Sequence, residues 1–201
     1  MEIVLIRHPR PAIGEGVCYG SSDLDLAVGF EAGSGALRKR LADLADRADL
    51  AGATLFSSPL RRCRKLAETL GLGLGLGLGL GTPRLDERLQ ELHFGKWELC
   101  RWDAIDRGEL DHWREDVVHR APPEGESYAS LERRTLAFLT DAQAQQHRGI
   151  IVVTHAGVIR ALLAHALGSP LEKSFALRLD FASLCRLSVR DGIWQLHCMN
   201  C

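Results

Sequence analysis

The sequence predicts an α/β fold, a three-layer α/β/α sandwich with a mostly parallel central sheet, and two patterns carry that expectation. Short apolar runs at residues 3–6, 53–56 and 149–154 alternate with longer stretches in which apolar residues recur every three or four positions. Further on the pattern changes. Residues 183–189 and 193–198 flank Arg190-Asp191-Gly192, a hairpin signal that adds antiparallel strands at one edge of the sheet.

In chain order, Ile3-Val4-Leu5-Ile6 reads as a buried strand that stops abruptly in Arg7-His8-Pro9-Arg10-Pro11, a cationic edge broken by prolines. Residues 37–50 have helical periodicity, and residues 53–56 form a second strand leading into Ser57-Ser58-Pro59. The next helix spans 60–70, with Gly71 as its C′ residue. From Gly71 to Gly81 glycine and leucine alternate. No G-x-G-x-x-G register fits this repeat and no G-K-S or G-K-T follows it, so it reads as an expansion in a helix-to-strand connection, not a phosphate loop. Helical patterns at 127–146 and 158–167 flank the third strand, which runs into His155-Ala156-Gly157.

The 201 residues, 46% hydrophobic, suffice for a single domain over 1–201 with two additions: the low-complexity Gly-Leu insertion at 71–81 and a helical cap-like insertion at about 97–126. Twenty-five Lys and Arg balance 26 Asp and Glu for a net charge of −1, which excludes a global field for nucleic acid or an anionic membrane. Any anion site must be local. No apolar stretch approaches the roughly 18 residues of a spanning helix, and no signal-peptide pattern precedes the first strand, so the cytoplasm is the expected compartment. Six scattered cysteines then imply free thiols. Cys198-Met199-Asn200-Cys201 has C-x-x-C spacing, but without a second pair or a following helix it carries neither a redox nor a metal reading.

In open α/β sheets ligands bind beyond the carboxyl ends of the strands. There the first strand delivers Arg7 and His8, the second Ser58, Arg61 and Arg62, and the third His155. A lone histidine is usually a packed one and helix arginines are usually solvated; the shared address is what gives these residues weight.

These residues and their spacing resemble the histidine phosphatase superfamily, also called phosphoglycerate-mutase-like, over nearly the whole chain. Its R-H-G appears as Arg7-His8-Pro9, its S-x-L-x-R-A as Ser58-Pro59-Leu60-Arg61-Arg62-Cys63, its E-x-x-F-G-x-W-E-G as Glu91 through Phe94-Gly95-Lys96-Trp97-Glu98-Leu99, and its T-H-x-G-x-I-R as Thr154 to Arg160. The resemblance implies a metal-independent phosphomonoester hydrolase without cofactors that acts on a small phosphorylated metabolite. It implies His8 as the nucleophile, Arg7 and Arg62 as phosphate ligands, Arg61 as a variable neighbour, His155 as a further donor and Glu91 as the proton donor. Ser127 resembles a position close to the phosphate, and equally reads as a plain helix N-cap.

Three positions depart from the pattern. Pro9 removes a backbone N–H beside the nucleophile, Arg10 stands where an acidic or amide residue is common, and Leu99 replaces a glycine. Arg7 to Pro11 followed by Cys18-Tyr19-Gly20-Ser21-Ser22-Asp23-Leu24 is similar to the variant found among α-ribazole-5′-phosphate phosphatases of cobalamin biosynthesis. Arg10 either reaches a substrate carboxylate or faces water, and Tyr19, Trp102, Trp113 and Tyr128, from segments expected to wall the pocket, read equally as faces that stack on a flat base and as core aromatics of an insertion. A broad-specificity phosphatase and a phosphoglycerate mutase are the alternatives, and Pro9 motivates a non-catalytic phospho-ligand binder. A metal hydrolase using His8, His93, His155 and Glu91 lacks any helix with H-x-x-x-H spacing. A homodimer is compatible with the sequence.

Overall fold

β1 (Glu2–Arg7) and β4 (Gly149–Thr154) lie side by side in the computed structural model, which describes residues 1–45, 50, 52–72 and 80–201. Both strands are apolar because both of their faces are covered. Ile3 and Leu5 of β1 pack with Ile150 and Val152 on one face, while Val4 and Ile6 pack with Ile151 and Val153 on the other. This is the two-residue strand period read twice, once into each helical layer.

The remaining strands are β2 (Thr54–Ser57), β3 (Arg84–Leu85), β5 (Leu184–Arg190) and β6 (Ile193–Cys198), and the sheet order is β3-β2-β4-β1-β5-β6. The first four neighbours in that order are parallel, and β5 and β6 are antiparallel. The expected hairpin is present, with Asp191 and Gly192 both at positive φ in its turn.

Helices α1 (Phe30–Ala45) and α2 (Arg61–Gly71) cover one face through Leu37, Leu41, Leu66 and Leu70. After α3 (Arg107–Glu115), helices α4 (Tyr128–Ala144) and α5 (Ala156–Ala166) cover the other through Leu131, Phe138, Leu139 and Leu162. A three-layer α/β/α sandwich with a mostly parallel central sheet is the result, as expected. Among the described residues no helix is long and apolar enough to cross a membrane.

Several expectations are corrected. Helix α1 starts at Phe30, ahead of the expected residue 37, through Gly33 and Gly35, whose low helix propensity hid it; of the expected run to 50, residues 46–49 lie outside the described residues and Leu50 is not helical. Gly71 is the last helical residue of α2 and Leu72, in the αR region, is the cap. Glycine is needed there for space: a Cβ on Gly71 would overlap the carbonyl oxygen of Gly81. The interior of the repeat, residues 73–79, lies outside the described residues. Cys198 and Cys201 are joined in a disulfide, not free, because Asn200 at φ 58° turns the chain back so that Cys201 pairs with Leu184; Cys18, Cys63, Cys100 and Cys185 are free.

For Trp102 and Trp113 the structure matches the core reading of the two. They pack with Phe94, Trp97, Cys18 and Leu110 in a small separate core, with Trp97 and Trp113 edge to face at 5.6 Å between ring centroids. Tyr128 is likewise interior, its hydroxyl donating to the Gly157 carbonyl at 3.0 Å.

Candidate active site

Parallel register aligns three strand ends. Arg7 pairs with Thr154 and Ser57 with Val153, so the residues that follow, His8, His155 and Ser58, emerge together. The His8 N–H still donates to Thr154 and the Ser58 N–H to Val153, both at 3.0 Å, which carries the ladder one step past the strands and fixes both residues' backbones.

His8 is buried, 2% exposed, and its Nδ1 lies 2.6 Å from the Pro9 carbonyl oxygen. A carbonyl only accepts, so Nδ1 carries the proton and Nε2 the lone pair. The proline that removed a donor here supplies the acceptor that sets the tautomer. Arg62 Nε donates to His8 Nε2 at 3.3 Å, while Nη1 and Nη2 donate to the Ser22 and Gly20 carbonyls at 2.6 and 2.5 Å. Burial first, and the Arg62 charge second, hold the His8 pKa well below the usual imidazole value.

His155 lies with its ring centroid 5.0 Å from that of His8, and its Nε2 is 2.8 Å from Ser58 Oγ. Burial and then Arg62 keep it, too, well below the ordinary value. Arg7 Nη1 donates to the Leu179 carbonyl at 2.5 Å and its guanidinium stacks on Phe181 at 3.9 Å, yet its buried Nε has no partner among the described residues. An unpaired buried cationic donor is costly, and an oxyanion beside it would satisfy it.

Glu91 is placed by the start of α5. Both its carboxylate oxygens lie 3.2 Å from the Gly157 N–H, and Oε1 also accepts from Leu92 at 3.1 Å. A side chain at Gly157 would overlap Oε1, so glycine is what permits the approach.

The other expected residues are less central. Ser127 caps α4 and its hydrogen bonds go to Ser130, in keeping with its N-cap reading. Arg10 is exposed and pairs with Glu15 at 3.5 Å, its guanidinium 5.2 Å from Phe181. Tyr19 is half-buried beside Arg62, whose guanidinium lies 5.4 Å from its ring; burial raises its pKa and Arg7 opposes that rise. Cavities of about 320 and 260 Å³ flank Arg10 and Phe181, one running past Pro9, the other past Ile13 and Tyr19. A cavity of about 340 Å³ lies among Arg40, Arg186 and Cys198 and contains none of the site residues. Among the described residues no group of three or more His, Cys, Asp or Glu is arranged to hold a metal ion.

Sequence reasoning gave no role to Ser58, Phe181, Glu98 or the Leu179 carbonyl. Ser58 and Glu98 lie inside the second and third motifs, which is their signal; Phe181 and Leu179 have none.

An imidazole nitrogen with its lone pair free beside guanidinium donors can serve group transfer from an anionic ester. The profile described as "Histidine phosphatase superfamily (branch 1)" matches residues 3–201, and the chain belongs to that superfamily. It is a phosphatase. Its relatives include a Hydrogenobacter thermophilus protein provisionally named phosphoserine phosphatase 2, 28% identical over 98% of this chain and 94% of that one. The adenosylcobalamin/alpha-ribazole phosphatase of Escherichia coli is 27% identical over 56% of this chain and 57% of its own. Among solved structures, a mycobacterial glucosyl-3-phosphoglycerate phosphatase in complex with VO3 superposes with a TM-score of 0.80 at 29% identity, covering 99% of this chain and 98% of the other.

Proposed function

We propose that this phosphatase is metal-independent, passes the phosphoryl group through His8, and takes α-ribazole 5′-phosphate, a nucleotide-like monoester of cobalamin biosynthesis, as its substrate. The observation that carries the mechanism is the His8 tautomer, with Nδ1–H held by Pro9 and the Nε2 lone pair beside Arg62. Nε2 attacks phosphorus as the ester oxygen departs, and Glu91 gives that oxygen a proton. Glu91, now a carboxylate, takes a proton from water, whose oxygen displaces Nε2 and releases phosphate. Arg7, Arg62 and His155 donate to the non-bridging oxygens, where charge is redistributed in the transition state.

The substrate reading rests on the wall of the site. The Phe181 ring centroid lies 5.6 Å from that of His8 and, with Tyr19 and Arg10, Phe181 lines a cavity of about 260 Å³, while Arg10 is paired with Glu15, which suits an uncharged flat leaving group. The second reading, a phosphorylated carboxylate of the phosphoserine or glucosyl-3-phosphoglycerate kind, draws on Arg10 as a cation at the mouth and on the names of the relatives.

The test compares kcat/KM for α-ribazole 5′-phosphate with that for nucleoside 5′-monophosphates, phosphoserine, glucosyl-3-phosphoglycerate and 3-phosphoglycerate. A preference of at least about tenfold, or about 1.4 kcal/mol, for the ribazole ester is expected. A smaller one removes the cobalamin assignment, and formation of 2-phosphoglycerate identifies a mutase. EDTA should leave turnover unchanged, and base-quenched enzyme should carry acid-labile phosphate that His8→Ala does not.

A further inference from the structure

Glu98 collects five donors on one carboxylate. Oε1 accepts from the Ser21 N–H at 2.8 Å, from Ser21 Oγ at 3.0 Å and from the Phe94 N–H at 3.0 Å. Oε2 accepts from the Ser22 N–H at 2.8 Å and from Ser22 Oγ. The carbonyls in that same short segment, Gly20 and Ser22, are the ones that hold the two Nη atoms of Arg62, whose Nε reaches His8. A chain of hydrogen bonds therefore runs from Glu98 through residues 20–22 to Arg62 and the nucleophile. Its other arm, through Phe94, ties the carboxylate to the segment that begins with Glu91.

We infer that Glu98 is a positioning residue for phosphoryl transfer: it locks residues 20–22 so that their carbonyls aim the Arg62 guanidinium at the site of the phosphoryl group. Two carbonyls take one N–H from each Nη and leave the other N–H of each for oxyanion contact, a geometry that survives only while the loop bearing those carbonyls is fixed. An ionised carboxylate is suited to fix it because it is acceptor-only and can serve all five donors at once. A carboxamide of the same shape turns an NH2 toward donors on one side and cannot. The inference rests on the reading of Arg62 as the anion clamp.

The experiment is a double-mutant cycle with p-nitrophenyl phosphate, measuring kcat/KM and vanadate affinity for wild type, Glu98→Gln, Arg62→Ala and the double variant, with thermal unfolding of each. Glu98→Gln is expected to remain folded and to lose about tenfold in kcat/KM and a similar factor in vanadate affinity, yet to cost less than about twofold once Arg62 is alanine. A role confined to folding would lower the unfolding midpoint and leave the vanadate affinity of the folded enzyme alone. Unchanged kinetics, or an equal loss in both backgrounds, overturns the inference. Should Glu98→Gln not fold, Ser21→Ala/Ser22→Ala removes only the two hydroxyl donors and should give a several-fold loss that vanishes in the Arg62→Ala background; additive losses there overturn it as well. If Arg62→Ala itself leaves kcat/KM and vanadate affinity intact, the clamp reading fails and takes the inference with it, whereas a loss in Arg62→Ala with none in Glu98→Gln sinks the inference alone.

Discussion

His8 and His155 are kept neutral by the same two causes, burial and the charge of Arg62. Since the neutral imidazole is the proposed nucleophile, acid should not switch it off at the ordinary histidine pKa of about 6.5. With the substrate phosphate's own ionisation near 6 divided out, kcat/KM should show no acid limb from His8 in that range, its limb appearing only at lower pH. An acid limb at the ordinary value would mean that His8 is solvated in solution. Neighbouring arginines should differ sharply. Arg62→Ala removes a fully buried donor and should cost on the order of 3 kcal/mol in kcat/KM, whereas Arg61 is 44% exposed and ion-paired with Asp23 and Asp25, so Arg61→Ala should cost little. Steady-state kinetics of the two variants check the ranking. The arginines, the histidines and Glu91 were legible because each follows a strand or sits in a dense motif. Phe181 was not, since nothing local announces that the loop before β5 folds back over Arg7.

Helix α2 separates two jobs. Its first turn carries Arg62 into the site, and its far end, about 14 Å away at 1.5 Å per residue, carries Gly71 and the start of the Gly-Leu repeat. Gly71 already lies against Gly81, so the ends of the repeat meet without its interior. Deleting residues 73–79 should leave kcat/KM of the folded enzyme within about twofold, because loop closure depends weakly on length. Gly71→Ala should instead destabilise by about 1–3 kcal/mol through overlap with the Gly81 carbonyl, read as a lower unfolding midpoint with activity retained. At this scale the long apolar strands β1 and β4 were plain in the sequence. Strand β3 has two residues, both exposed, too few to show a period. The disulfide depended on a turn at Asn200 that spacing alone does not reveal.

For the molecule as a whole, neutral buried histidines make acid a denaturant. Unfolding exposes His8 and His155 to water, where they take up protons that the folded state refuses, so protons favour the unfolded chain. The stability they confer is complete above about 6.5 and is lost as pH falls from there towards their lowered folded values. Paired carboxylates such as Asp25, bonded to Lys65, and Asp86, bonded to Arg88, follow the same sign but only below about 3.9. Urea unfolding should therefore show stability declining below about pH 6.5, and His8→Asn and His155→Asn should each flatten that slope. A pH-independent stability over that interval would contradict the burial of both rings.

Strand β1, the first strand in the chain, sits between β4 and β5, and Arg7 bonds to a carbonyl 172 residues further on. On a ribosome that synthesises the chain in order, β1 emerges long before either of its partners. Until then Ile3 to Ile6 form a greasy ribbon with two unpaired edges, the kind of segment that holdase chaperones shield. Such a high contact order makes refolding slow, and it ties recovery of catalysis to the pairing of β1 with β4, when the second histidine arrives beside the first.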